Sequence, residues 1–328
     1  MKIYQNFKHF LILTLIALTV LSCSNDDNGG SVPTGENIIE IAMANPNLST
    51  LVEALEITGL TSTLENPGSF TVLAPTNAAF DLFLATANFA SINDVPVPLL
   101  EQLLLNHVIG SQINEANFVS LIRNYAETLA DGPTDGTKLS LYFDATGTAI
   151  QFNGASDVID ADILASNGVV HTVDTVIDFP TVVTFVTTDI NFQQLTTALT
   201  TATPATDFVG LLSGTGPFTV FAPAETAFDA LLATNDNWNS VSDIEEDLLT
   251  TVLQHHVANG NNRSEDFTDQ STVTTLEGDD ITFSRALGLI TITDGSGNSE
   301  IILAVSDFQA SNGVVHLITE VMIPDTAN

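Results

Sequence analysis

Apolar positions in this chain alternate between two spacings, and the switch from one to the other happens twice in the same order. Leu48, Leu51, Val52 and Leu55 follow the spacing of one helical face, with Asn47 placed to cap the helix and Gly59 to end it. Phe70–Ala74 then alternates as a strand that Pro75 closes, and Thr76 is placed to cap a short helix whose apolar side is Ala79, Phe80, Phe83 and Leu84. A second helix is expected over Pro98–His107. Short strands with glycine turns are expected at Lys138–Phe143, Ala149–Phe152, Val158–Ile159 and Val169–Ile177. Further on, Phe192, Leu195 and Leu199 repeat the first stripe, with a TATPAT insertion lengthening the next loop. Asp247–His256 repeats the second helix. Asp280–Phe283, Leu289–Thr293, Glu300–Val305 and Val314–Met322 repeat the strands. Helices first and mostly antiparallel strands afterwards make each unit α+β.

The repetition extends to the letters. FTVLAPTNAAF at Phe70–Phe80 returns as FTVFAPAETAF at Phe218–Phe228, and ASNGVVH at Ala165–His171 returns at Ala310–His316, about 145–148 residues on. A period that long is a tandem of complete domains, each with enough chain to bury its own core. In the second copy Ala224 replaces the capping Thr76, so Glu225 or Thr226 is expected to compensate.

Charge narrows the partners. The 328 residues carry a formal charge of −34 with only six Lys and Arg, and two of those, Lys2 and Lys8, stand before the apolar run Phe10–Leu21. Such a surface repels nucleic acid and anionic lipid and favours cations or cationic polymers. The first 22 residues read as an export signal, too short to span a bilayer. It ends at Ser22-Cys23, the chain's sole cysteine, and resembles a bacterial lipoprotein signal in which Cys23 is acylated. Residues 23–36 are a polar tether. The pair Asp26-Asp27 in it is similar to tags that carry lipoproteins to the outer face of the outer membrane. An outer-membrane or cell-surface location follows from this resemblance.

Three landmarks then occur in order, twice: FTVLAPTNAAF, LLLNHV and DADILASNGVVHTVDTVI, then FTVFAPAETAF, VLQHHV and VSDFQASNGVVHLITEVMIP. They resemble those of the fasciclin-like domain, over residues 37–180 and 184–325. The resemblance implies a wedge of β-strands packed with several helices. It also implies adhesion through matrix proteins, polysaccharides or other cells, with no characteristic cofactor or catalysis. In the family a Tyr-His pair usually ends the second helix. Here Asn106-His107 and His255-His256 stand in its place, keeping the histidine and losing the tyrosine. Two readings of His107 and His256 follow: adhesive contacts, or structural histidines bonded to a neighbouring loop. The family's other adhesive segment is an Asp-Ile pair before the Asn-Gly turn, matched by Asp162-Ile163 and, with a change, by Asp307-Phe308. The competing reading puts Ile163 and Phe308 in the core and both aspartates in loop hydrogen bonds.

Catalytic and metal motifs are lacking. No histidine pair has H-E-x-x-H spacing, no Gly-x-Ser-x-Gly elbow occurs, and Cys23 is committed to the anchor. Asp294, Ser296, Asn298 and Glu300 alternate like the start of a calcium loop. The sixth-position glycine is missing, so a hairpin turn is the expectation, with calcium binding left as a diffuse property of the acidic surface. The acids Asp243–Asp247 read as the solvated start of a helix. The function expected is a lipid-anchored surface protein that attaches to extracellular matrix, polysaccharide or a cell-surface protein. The alternatives are a cation- or small-ligand-binding envelope lipoprotein and an architectural spacer.

Overall fold

The computed structural model describes residues 35–295, 297, 299–302 and 306–325. The export signal, Cys23 and most of the tether lie outside the described residues, as do Ser296 and Asn298.

The first copy runs α1 (Ile38–Ala44), α2 (Ser49–Thr58), α3 (Thr61–Glu65), β1 (Phe70–Pro75), α4 (Asn77–Thr86), α5 (Val97–Leu105), β2 (Val108–Ile109) and α6 (Glu115–Leu121). It ends in β3 (Arg123–Asp131), β4 (Lys138–Asp144), β5 (Gln151–Phe152), β6 (Ser156–Ala165) and β7 (Gly168–Val173). The second copy runs α7 (Val182–Thr188), α8 (Gln193–Thr197), α9 (Phe208–Leu212), β8 (Phe218–Pro223), α10 (Glu225–Leu232), α11 (Glu246–His255) and β9 (Val257–Asn259). Its last strands are β10 (Thr272–Thr274), β11 (Asp280–Ala286), β12 (Leu289–Thr293), β13 (Ser299–Ile302), β14 (Phe308–Ala310) and β15 (Gly313–Ile318). The order is α+β in both.

The helix boundaries follow cap chemistry. Gly59 ends α2 at φ 73°, as expected, but Asn47 caps nothing; Asn45 accepts the Asn47 N–H and starts the turn that precedes α2. Thr76 caps α4 by accepting from the Ala79 N–H. In the second copy α10 has no side-chain cap, and Glu225 instead accepts from the Gln194 N–H on α8. Asn77 does the same for Thr50 on α2, so this position ties two helices together rather than capping its own.

The two repeated landmarks lie side by side. β1 pairs in parallel with β7, Phe70 opposite Gly168 through Pro75 opposite Val173, and β8 pairs identically with β15. Among the described residues every other ladder is antiparallel. In the first copy β1 also pairs with β2, and the strands close in the order β1 to β7 into a barrel. In the second, the sheet runs β10-β11-β12-β13-β15-β8-β9, with an Ala258–Thr275 bridge between its ends. Gly168 and Gly313 are required by close approach. A Cβ on either would sit 2.1 Å from the carbonyl oxygen of Phe70 or Phe218 on the parallel strand.

Each copy has two cores. Inside the first barrel Phe118 packs edge-on against Phe143 and Phe152, and its counterpart in the second copy gathers Phe221, Phe267 and Phe283. The helices bury a second core against the outer face of β1 or β8. The two copies also pack on each other. Tyr125 on β3 stacks on Phe308 of β14 at 3.7 Å and 12°, Tyr142 joins the second copy's helical core, and the Tyr125 hydroxyl donates to Asp189 Oδ2 at 3.0 Å. The Gln309 N–H donates to Ser140 Oγ at 2.9 Å, and Ser311 donates to the Pro180 carbonyl. The pair is a single packed unit.

Candidate functional site

The turn between the last two strands of each copy organises everything near it. Asn167 is buried; its Oδ1 accepts from the Ile38 N–H, and its Nδ2 donates to the carbonyls of Leu64 and Asn66. Asn312 repeats this with Val182, Leu212 and Gly214. One amide therefore satisfies the start of the first helix and the loop before the central strand, two places where backbone groups would otherwise be orphaned.

Just before that turn, β6 carries an extra residue. The register shifts between Asp160 and Ile163, and Asp162 takes a left-handed φ of 58°, which aspartate tolerates better than most residues. Its N–H donates to His171 Nδ1 at 3.2 Å, and its Oδ1 accepts from the Glu115 N–H at 2.8 Å, at the first turn of α6. His171 is buried on β7 and closes the set by donating Nε2–H to the Ile113 carbonyl at 2.9 Å. Asp307, at φ 68°, accepts from the Ser264 N–H at 2.7 Å and from its hydroxyl, and His316 donates to the Asn262 carbonyl at 2.8 Å. Burial pushes the His316 imidazole below its ordinary pKa.

The surroundings of the two bulges differ. Asp162 is exposed, Ile163 is half-buried against the first helical core, and the same strand presents Ile159 and Leu164 at 57% and 67% exposure. Asp307 is only partly exposed, and Phe308 turns inward onto Tyr125 at the contact between the copies. Of the two aspartate-apolar pairs, the structure leaves the first facing solvent and uses the apolar member of the second as an internal joint.

His107 and His256 are placed inside the fold, each 2% exposed. His107 donates Nδ1–H to the Leu103 carbonyl at 2.7 Å and accepts from the Ile177 N–H at Nε2, 2.9 Å away. His256 does the same with Val252 and Met322, at the same distances. Both rings are thus neutral and fixed in one tautomer, and burial lowers each pKa to about 4. They latch the end of α5 or α11 to the segment that leaves the sheet, and neither ring reaches a partner outside. The residues beside them have diverged: Asn106 donates to the carbonyls of Ile177 and Asp178, whereas His255 points toward Glu277.

The acidic stretches resolve as expected from their sequence. β12 and β13 on either side of DGSGN pair antiparallel as a hairpin, with Thr293 opposite Ser299. Asp294 accepts from the Ile323 N–H, and Glu300 is buried beside it, so that burial and the neighbouring Asp294 raise the Glu300 carboxyl to about 8. Ser240 caps the short turn Val241–Asp243, and the Asp243 carboxylate accepts from the Ser240 N–H in return, while Glu246 and Asp247 open α11. Among the described residues a single group sets a histidine and two carboxylates within reach of one ion: His255, Glu277 and Asp279. No helix among the described residues is long and apolar enough to cross a membrane.

The comparisons agree with this architecture. The family model for the fasciclin domain matches residues 46–180 and 191–324. Transforming growth factor-beta-induced protein ig-h3 from Sus scrofa is 29% identical over 300 residues, covering 85% of this chain and 40% of that protein. Periostin from Homo sapiens is 27% identical over 269 residues, covering 80% of this chain and 29% of periostin. The chain thus spans well under half the length of these relatives. Among solved structures, a FAS1 domain pair from the insect cell adhesion molecule fasciclin I matches with a TM-score of 0.53 and 18% identity. It covers 86% of this chain and 98% of that one, a likeness of fold.

Proposed function

The chain belongs to the fasciclin domain family, and from that premise we propose that it is an adhesion protein, held to the cell surface by acyl chains on Cys23 and attaching to extracellular matrix or polysaccharide. The solved pair it resembles comes from a cell adhesion molecule, which supports the class of function. The observation that carries the reading is the contrast between the two bulges. Asp162 is exposed on the strand that also exposes Ile159 and Leu164, whereas Asp307 is only partly exposed and its neighbour Phe308 is built into the joint. An exposed carboxylate beside exposed apolar side chains can pair with a basic group of a partner while the apolar area is removed from water. With a chain charge of −34, the carboxylate selects basic segments or cation-bridged polymer over anionic surfaces.

Because Phe308 and Tyr125 fix the two copies together, one rigid body presents the first copy's face, and the tether supplies the reach. The test is a matrix-protein and glycan array probed with the full chain at physiological salt, beside Asp162→Ala and Leu164→Asp. Binding that weakens in both variants supports the reading. An array with no bound target, or binding unchanged in both variants, overturns it. Mass spectrometry of the mature N-terminus tests the anchor: an unacylated Cys23 removes that part.

A further inference from the structure

His255 ends α11 where Asn106 follows α5, and the substitution redirects the side chain. Asn106 bonds the carbonyls of Ile177 and Asp178. His255 is wholly buried and faces the turn after β10, with Nδ1 3.4 Å from both Glu277 Oε2 and Thr275 Oγ1, while Nε2 has no hydrogen-bond partner. Protein N–H···O bonds run about 2.7–3.2 Å, so both contacts at Nδ1 are long and weak. A buried ring with both nitrogens under-satisfied is costly unless something else engages it.

The carboxylates beside it are held by their own turn. The Asp279 N–H donates to Glu277 Oε2 at 3.2 Å, and the Thr275 N–H and hydroxyl both donate to the Asp279 carbonyl. Asp279 Oδ2 accepts from the Asp325 N–H at 3.2 Å, which ties the turn to the C-terminal segment. Glu277 and Asp279 are half-buried and so open on one side to solvent. One ligand atom from each of the three residues lies within 4.8 Å of the other two. A triangle of that side puts its centre at most about 2.8 Å from each corner, and zinc takes nitrogen and oxygen ligands at about 2.0–2.2 Å, so closure needs under about 1 Å of side-chain movement.

We propose that His255, Glu277 and Asp279 form a site for one divalent transition-metal ion, zinc by preference, on the second domain alone. One imidazole and two carboxylates suit zinc, whereas calcium and magnesium favour all-oxygen sets. Water would complete the coordination from the open side. The first domain has no equivalent, since Asn106 stands where the imidazole would be. The site is independent of the adhesive reading and shares no residue with it.

The experiment uses the full chain, stripped with chelator and titrated by calorimetry with zinc chloride, and separately with calcium chloride. One saturable zinc per chain is expected, with calcium weaker. His255→Asn, which copies the first domain, and Glu277→Gln should each weaken that site more than about tenfold, while Asp162→Ala retains it. Should His255→Asn not fold, Glu277→Gln decides, because its side chain lies in a solvent-facing turn. No saturable zinc, zinc uptake unchanged in Glu277→Gln, or calcium bound more tightly than zinc would each overturn the proposal.

Discussion

Lowering the pH tests the histidine latches directly, and His256 is the better of the two because the chain's one tryptophan, Trp238, packs against the core of the same domain. In the folded state His256 Nε2 must accept from the Met322 N–H while Nδ1–H donates to Val252, and protonation abolishes the first of these. Its folded pKa of about 4 lies below the ordinary 6.5 because the ring is buried. Between those values the unfolded chain holds a proton that the folded chain refuses. The stability from the neutral ring is therefore complete above pH 6.5 and lost as pH falls to about 4. At about 1.4 kcal/mol per pH unit the loss reaches about 3 kcal/mol. His256→Asn removes this dependence and, at pH 7, orphans the Met322 N–H and opens a small cavity, a cost of about 2–4 kcal/mol. Urea unfolding followed by Trp238 fluorescence, from pH 7 to pH 4, should show two curves well separated at neutral pH that converge toward pH 4. Contributions from groups that do not interact with His256 are common to both proteins and cancel. Parallel curves would refute the latch.

Three further outcomes follow from the fold. Gly168→Ala drives a Cβ to 2.1 Å from the Phe70 carbonyl oxygen, so the parallel pair must open; a loss above about 3 kcal/mol is expected in thermal melts, and a change under about 0.5 kcal/mol would refute it. Phe308→Ala removes the ring stacked on Tyr125, costing about 2 kcal/mol and freeing the copies to move; small-angle scattering should show a larger radius of gyration, and an unchanged profile would exclude the joint. Glu300 has its folded pKa raised to about 8, so from 4.5 to 8 the folded chain keeps a proton the unfolded chain has released, and stability falls as pH rises. Glu300→Gln should flatten that decline in urea melts at pH 5 and pH 8; an identical decline would refute the assignment.

The architecture was legible wherever identity of residues, rather than spacing, carried it. The doubled landmarks mark two domains, and the structure shows why they recur: FTVLAP and NGVVH are the two partners of the parallel pair, buried on both faces and paired residue for residue. Periodicity located α2, α5 and α11 to within a residue or two but gave no sign of α1, α3, α7 or α9, and it failed over Glu115–Asp131, where α6 and β3 lie. α6 is short, and β3 mixes half-exposed Arg123 with exposed Asn124 and Glu127 in its run because its neighbours cover it unevenly. Asn47 looked like a cap because Asn45, which performs that role, precedes a proline-led turn invisible to helical spacing. The histidines illustrate a different limit. Sequence places them at helix ends but cannot tell a ring aimed at a loop 66 residues on from one aimed at solvent.

Duplication explains why the candidate sites diverge while the scaffold does not. Among the residues identical in the two copies, Asn167 and Asn312 and His107 and His256 are buried and satisfy backbone groups of distant segments, while Gly168 and Gly313 admit the close approach of the parallel strand. Losing one of the four polar side chains orphans two or three backbone groups at once. The residues one step outward carry no such obligation. Where the first copy has Ile163 the second has Phe308, which stacks on Tyr125 and joins the copies, and where the first has Asn106 the second has His255, which lies beside Glu277 and Asp279. Phe308 is drawn into the joint while Asp307 stays partly exposed, so Asp162 is the more exposed of the two carboxylates. The shared landmarks that identify the family are the ones that hold the fold, and the copies differ at the candidate positions around them.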